Sequence, residues 1–219
     1  MGRRLVTASA VCFDNDGLLL ETETAWTRAE VELFARRGAE FTDDHKRYMI
    51  GSAGAVGARK LEEMLGRPGD GWALWEELHE LVMAELPKGV EPMPGALELV
   101  DTLRERGIPV ALVSNSARDF VELALATAAV GERFDAVLTR DDVAAGKPAP
   151  DLYLAACEAL RAEPDAAVGL EDTATGVTSV KAAGLAAVGV PSFPGVTLDE
   201  ADLVVSSLED PSVRRFLGL

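Results

Sequence analysis

Cysteine is nearly absent from this chain. The two residues present, Cys12 and Cys157, have the spacing of neither a zinc site nor a disulfide framework. Both lie in apolar segments, which predicts buried free thiols in a reducing compartment. Aromatic residues make up only 5% of the chain, so Leu, Val and Ala must fill the core that a 48% hydrophobic composition allows. Positive charge is also short: 21 Lys and Arg stand against 37 Asp and Glu, a formal net charge of −16. Nucleic acid and anionic membranes reward Lys and Arg, so neither is expected as a partner. A site for phosphate would need a local cation of its own.

Long hydrophobic runs, repeats and low-complexity tracts are missing too, and nothing approaches the length of a membrane span. Arg3 and Arg4 followed by Ala8-Ser9-Ala10 look superficially like a cleavable signal, but Leu5 and Val6 are too few for an apolar signal core. The segment reads better as a first core strand. The expectation is a soluble, cytoplasmic protein, with a monomer as the default.

What is present is an alternation of element types. Thr7 to Phe13 is short and β-rich and runs into the polar turn Asp14-Asn15-Asp16-Gly17. From Thr22 to about Leu86 the pattern turns helical: Trp26, Ala29, Leu33 and Phe34 recur at helical spacing before Gly38, with further helices over Ala58–Leu65 and Trp72–Leu86. The stretch Pro87 to Gly95, with three prolines and two glycines, marks a linker. Helices (Ala96–Arg106, Asp119–Ala129, Asp151–Arg161, Gly176–Ala183) and apolar strands (Ile108–Val113, Ala136–Leu138, Ala167–Leu170, Ala186–Val190) then alternate. Continuous apolar strands suit a parallel sheet covered on both faces. The fold class is therefore α/β, a doubly wound parallel sheet, with residues 1–19 and 89–219 forming its core and residues 20–88 an inserted all-helical cap. Ligands of such sheets bind beyond the carboxyl ends of the strands, where the insert departs.

The polar residues at those ends are Asp14 and Asp16, Ser114, Asn115 and Ser116, Lys147 before the Asp151 helix, and Glu171 and Asp172. Carboxylates at this density repel one another unless a cation sits among them, and hard oxygen ligands suit Mg²⁺. Taken singly, each group has a plain structural role as a solvated turn, a helix cap or a surface lysine. The first cluster also half-fits a calcium loop, but Cys12 would hold its first ligand position and Leu20 its ninth.

Four segments in order, Phe13-Asp14-Asn15-Asp16-Gly17, Val113-Ser114-Asn115, Gly146-Lys147-Pro148 and Gly169-Leu170-Glu171-Asp172, resemble the four motifs of the haloacid dehalogenase superfamily. The likeness is to its branch with a helical cap after the first strand, which includes β-phosphoglucomutase-like sugar phosphatases. The resemblance implies a Rossmann-like core and a Mg²⁺-dependent phosphatase acting on a small phosphate ester, such as a sugar or polyol phosphate. It implies Asp14 as nucleophile and Asp16 as general acid and base. Mg²⁺ would be held by Asp14, the Asp16 backbone carbonyl and Asp172, with Glu171 as ligand or close support, and the phosphoryl oxygens by Ser114, Asn115 and Lys147.

In the insert, Trp26, the Gly51–Arg59 segment, Arg59 and Lys60 are candidates to meet substrate, each with an ordinary packing or solvated role beside it. A phosphomutase is the rival reading, but Trp26 and Gly54 stand where β-phosphoglucomutase has a histidine and an arginine. A dehalogenase would need neither Asp16 nor the Glu171-Asp172 pair, and a non-catalytic receiver-like domain lacks so large an insert.

Overall fold

Alternation along the first strand decides how the sheet is covered. In β1 (Ala10–Asp14), Val11 and Phe13 enter one apolar cluster while Ala10 and Cys12 enter a second on the opposite face. All five residues of β1 are buried, as a strand covered on both sides requires. The computed structural model describes residues 8–52 and 54–219. Thr7, the Arg3–Arg4 segment of the signal-like reading and Ala53 of the Gly51–Arg59 segment lie outside the described residues.

After β1 come β2 (Leu20–Glu21) and four helices, α1 (Glu23–Ala35), α2 (Asp43–Met49), α3 (Gly54–Leu65) and α4 (Gly71–Glu85). Next are β3 (Glu91–Pro92), α5 (Ala96–Glu105), β4 (Val110–Val113), α6 (Arg118–Ala128), β5 (Ala136–Leu138) and α7 (Asp151–Leu160). The chain closes with β6 (Ala167–Glu171), α8 (Ala174–Ala182), β7 (Ala186–Gly189), β8 (Leu203–Val204) and α9 (Pro211–Leu217).

Six strands form a parallel sheet in the order β5-β4-β1-β6-β7-β8. Leu152, Tyr153 and Ala156 of α7 and Val177 and Val180 of α8 pack with Ala10 and Cys12. Leu99 and Leu103 of α5, Phe120 of α6 and Val213 of α9 belong to the cluster of Val11 and Phe13. Each fully buried Leu, Val or Phe contributes about 1.5–3 kcal/mol, so this two-sided apolar packing supplies most of the driving force. Cys12 and Cys157 are free and buried. Among the described residues, no helix is long and apolar enough to cross a membrane.

β1 lies between β4 and β6, so the chain leaves the sheet in opposite directions from its middle and opens a crevice at the carboxyl ends. The four helices α1–α4 depart from that crevice and return to it, because β2 and β3 pair antiparallel at Leu20–Pro92 and Glu21–Glu91. Within this group α4 packs on both α1 and α3.

Some elements exceed what the sequence pattern foretells. α2, with the sequence DDHKRYM, has no apolar period and is set instead by a capping box between Thr42 and His45. β2, β3 and β8 are two residues long, too short for any periodic signal. The Gly51–Arg59 segment is only partly a loop, since α3 begins at Gly54.

Candidate active site

Each of the polar groups that ends a strand sits where the backbone stops pairing. Asp14 is the last residue of β1 and Glu171 the last of β6, with Asp172 following it. Ser114 and Asn115 follow β4, and Lys147 lies in the loop before α7. The β1–β4 and β1–β6 registers bring these ends level, pairing Asp14 with Val113 and Phe13 with Leu170. The result is one cavity of about 90 Å³ lined by Asp14, Asp16, Asn115, Ser116, Lys147 and Asp172 from the sheet side.

At its floor the Lys147 ammonium lies 2.5 Å from Asp14 Oδ1 and 2.6 Å from Glu171 Oε1, and donates to the Val113 carbonyl at 2.9 Å. Tyr153 from α7 donates its hydroxyl to the same Glu171 oxygen at 2.5 Å. Asn115 holds this loop in place, accepting from the Lys147 backbone N–H at 2.9 Å and donating to its carbonyl at 3.3 Å. Ser192, in the loop after β7, donates to Asp172 Oδ2 at 2.6 Å. Two glycines make room for these carboxylates. Gly17, at φ +82°, would carry a Cβ only 2.7 Å from Asp172 Oδ2, and a methyl at Gly176 would overlap the Glu171 carboxylate.

One buried ammonium does not balance this cluster. Burial pushes the Asp14 carboxyl well above the usual range; Lys147 opposes the rise, while Glu171 and Asp16 add to it. Burial likewise raises Asp172, followed by the charges of Asp14 and Glu171, against the Ser192 hydrogen bond. Burial works against the charge of Lys147, yet Asp14 and Glu171 hold its pKa above the ordinary lysine value. Carboxylate oxygens of Asp14, Glu171 and Asp172 lie within 4.8 Å of one another, and Glu171 Oε2 is buried with no hydrogen-bond partner. An orphaned carboxylate oxygen in a buried, hard-oxygen, net-negative trio is a donor set that fits a small divalent cation.

Asp16 is held apart from that trio. Its Oδ1 accepts from Thr22 Oγ1 at 2.6 Å and Asn15 Nδ2 at 3.1 Å, and its Oδ2 from Ser116 Oγ at 3.0 Å and Ser114 Oγ at 3.2 Å. Burial raises its pKa, with the Glu23 charge adding and the hydroxyl donors Thr22, Ser116 and Ser114 opposing. Ser114 is fully buried behind Asp16, and Ser116 lines the cavity beside Asn115.

The insert closes the other side with Glu23, Trp26 and Glu30 of α1, Lys46 and Met49 of α2, and Trp75 of α4. Gly51 and Ser52 of the predicted loop line it as well. Trp26 serves both expected roles, facing the cavity while its ring packs 5.2 Å from Phe120 and 6.2 Å from Trp75. Arg59 pairs with Glu63 at 2.7 Å, and Lys60 donates to Ser52 Oγ at 2.7 Å and to the Tyr48 carbonyl; neither lines the cavity.

Several contributors escape a reading of the sequence. Ser192 follows a predicted strand and so had a positional signal. Thr22 reads only as a helix start. Tyr153 lies in an apolar helix, and nothing in its spacing distinguishes it from core. Glu23, Glu30 and Lys46 read as ordinary charged helix positions.

A family model described as haloacid dehalogenase-like hydrolase matches residues 8–184. Validoxylamine A 7'-phosphate phosphatase of Streptomyces hygroscopicus subsp. limoneus is 32% identical over 200 residues, covering 90% of this chain and 93% of that protein. Hexitol phosphatase B of Escherichia coli (strain K12) is 29% identical over 217 residues, covering 95% and 96%. The crystal structure of CbbY from Rhodobacter sphaeroides in complex with phosphate superposes with a TM-score of 0.83 at 27% identity, covering 97% of this chain and all of the other.

Proposed function

The chain belongs to the haloacid dehalogenase-like hydrolase family and is a phosphatase, and from that premise we propose that it hydrolyses small phosphate monoesters, sugar or polyol phosphates, through an aspartyl-phosphate on Asp14. The observation that carries this reading is the convergence of Asp14, Lys147 and Asp172 on one buried cavity. The names of two relatives, a hexitol phosphatase and a validoxylamine A 7'-phosphate phosphatase, support a small phosphate ester as substrate, the first of them a polyol phosphate.

In the first half-reaction an Asp14 carboxylate oxygen attacks phosphorus, the bond from phosphorus to the ester oxygen breaks, and Asp16 gives its proton to the leaving alkoxide. Burial raises the pKa of Asp16, which favours its protonated form relative to an exposed carboxyl. In the second, Asp16 takes a proton from water as the water attacks phosphorus, and the bond from phosphorus to Asp14 breaks, returning the carboxylate and releasing inorganic phosphate. Lys147, Asn115 and Ser116, which line the cavity, hold the phosphoryl oxygens and offset the charge that grows on them, while Ser114, buried behind Asp16, positions Asp16 and Ser116. Asp14, Asp172, Glu171 and the Asp16 backbone carbonyl would hold Mg²⁺, which when bound supplies positive charge to the carboxylates and the phosphoryl group alike.

Residues 1–19 and 89–219 would act as the catalytic core and residues 20–88 as a cap. The adjacent crossings at β2 and β3 suit a hinge between them. The buried thiols of Cys12 and Cys157 suit a cytoplasmic location. A mutase would need a grip for a second phosphoryl group, and the contacts of Arg59 and Lys60 to other residues speak against one there. The test is release of inorganic phosphate from a panel of phosphate monoesters with Mg²⁺. Turnover should be lost in Asp14→Asn, and conversion of one positional isomer to another without phosphate release would reject the reading.

A further inference from the structure

The cavity has a second polar centre opposite Asp14. Lys46 of α2 reaches between two glutamates of α1: its Nζ lies 2.7 Å from Glu23 Oε2 and donates to Glu30 Oε2 at 2.9 Å. Lys46 and Glu30 are only 7% and 3% exposed, yet all three residues line the same cavity as Asp14 and Lys147. Burying the charges of Lys46 and Glu30 only to hold two helices together is poor economy, since apolar residues of similar volume would do as well or better. Their position on the cavity wall gives them another use.

We propose that Glu23, Lys46 and Glu30 form a subsite for neutral hydroxyl groups, which selects a small polyol monophosphate and turns away substrates carrying a second anionic group. The proposal rests on the phosphatase reading above and goes beyond it by assigning what reads the rest of the substrate. Among the described residues, the ammonium donates to Glu30 Oε2 and only contacts Glu23 Oε2, which has no hydrogen-bond partner, and no hydrogen bond reaches Glu23 Oε1 or Glu30 Oε1. Neighbouring hydroxyls of a polyol donate to such oxygens and accept from such an ammonium, satisfying the set in full. A carboxylate or second phosphate offers only acceptors.

Charge points the same way. With both carboxyls ionised the trio carries two negative charges and one positive, a net −1, and among the described residues the cations lining the cavity are Lys46 and Lys147. Lys147 is already engaged by Asp14 and Glu171, so a second anion at the far end would meet net repulsion. The faces of Trp26 and Trp75, which also line the cavity, suit the C–H side of a polyol chain.

The test compares kcat/KM with Mg²⁺ for glycerol phosphate, a hexitol monophosphate, phosphoglycolate and a hexose bisphosphate. Each is divided by the same protein's value for p-nitrophenyl phosphate, so that losses from partial unfolding cancel. The wild type should favour the better polyol phosphate over both polyanionic substrates by roughly 100-fold. The double substitution Glu23→Gln and Glu30→Gln, which preserves shape and turns the trio to net +1, should cut that preference to below about tenfold. Lys46→Met should lower the polyol ratio as well; if it fails to fold, the glutamine pair still decides. A wild type indifferent to the second anion, or a double variant that keeps the wild-type ratios, overturns the subsite while leaving the phosphatase intact. No Mg²⁺-dependent hydrolysis of any compound, p-nitrophenyl phosphate included, removes the phosphatase reading and the subsite with it.

Discussion

Lys147 Nζ lies 2.5 Å from Asp14 Oδ1, joining the loop before α7 to the end of β1 across 133 residues of sequence. Because both partners are buried, the contact works differently from a surface ion pair: removing one side leaves a desolvated charge without compensation.

Lys147→Met is therefore expected to destabilise the protein by about 3–5 kcal/mol in the absence of metal, besides abolishing turnover. Asp14 and Glu171 would both lose their cation. Denaturant unfolding with EDTA present measures the first effect, and a loss below about 1 kcal/mol would contradict the placement of the ammonium.

Asp16 is gripped by Asn15, Thr22, Ser114 and Ser116, so Asp16→Asn keeps the side chain's size while removing its proton chemistry. Turnover should fall by about 10²–10⁴-fold with little change in substrate affinity. Single-turnover kinetics should show release of phosphate slowed more than binding; activity equal to wild type would take Asp16 out of the acid and base role.

Removal of metal should abolish activity and restoring Mg²⁺ should recover it. Folding offers an independent readout, because an ion that binds only the folded protein stabilises it by about 2.7 kcal/mol at 100 times its Kd. The melting temperature of the wild type should rise with Mg²⁺ while that of Asp172→Asn rises much less. An equal rise in both would assign the ion elsewhere.

Glu30 gives a pH signature. Burial raises its pKa to about 7, against the pull of Lys46. A carboxyl with a raised folded pKa carries no penalty below its unfolded value near 4.5; the penalty grows as pH rises toward about 7 and then levels off. At about 1.4 kcal/mol per unit, its full size is about 3 kcal/mol. Unfolding of wild type and Glu30→Gln between these limits should show the wild type losing stability relative to the variant as pH rises. A difference that stays flat with pH would contradict the burial of that charge.

Strand ends were legible because parallel strands covered on both faces are apolar runs, and a polar residue closing such a run stands out. Asp14, Ser114, Glu171 and Asp172 were found that way, and Lys147 through the turn before a helix. The 3.6-residue period likewise located α1, α3 and α4, while α2, built on a cap rather than an apolar face, had no period to find. Contacts that depend on tertiary approach had no local trace. Tyr153 meets Glu171 only because α7 packs across β4 and β1, the neighbour of β6, and Lys46 meets Glu30 only because α2 folds back beside α1, so on the sequence both look like what surrounds them.

The most direct measurement is chemical trapping of the phosphorylated aspartate. Asp16→Asn mixed with a polyol phosphate and Mg²⁺, quenched in acid within a single turnover and mapped by peptide mass spectrometry, should carry one phosphoryl group on the peptide containing Asp14, and hydroxylamine should remove it as it does an acyl phosphate. Phosphate on any other residue, or substrate consumed with no phosphorylated peptide at any time in the turnover, would contradict Asp14 as the nucleophile.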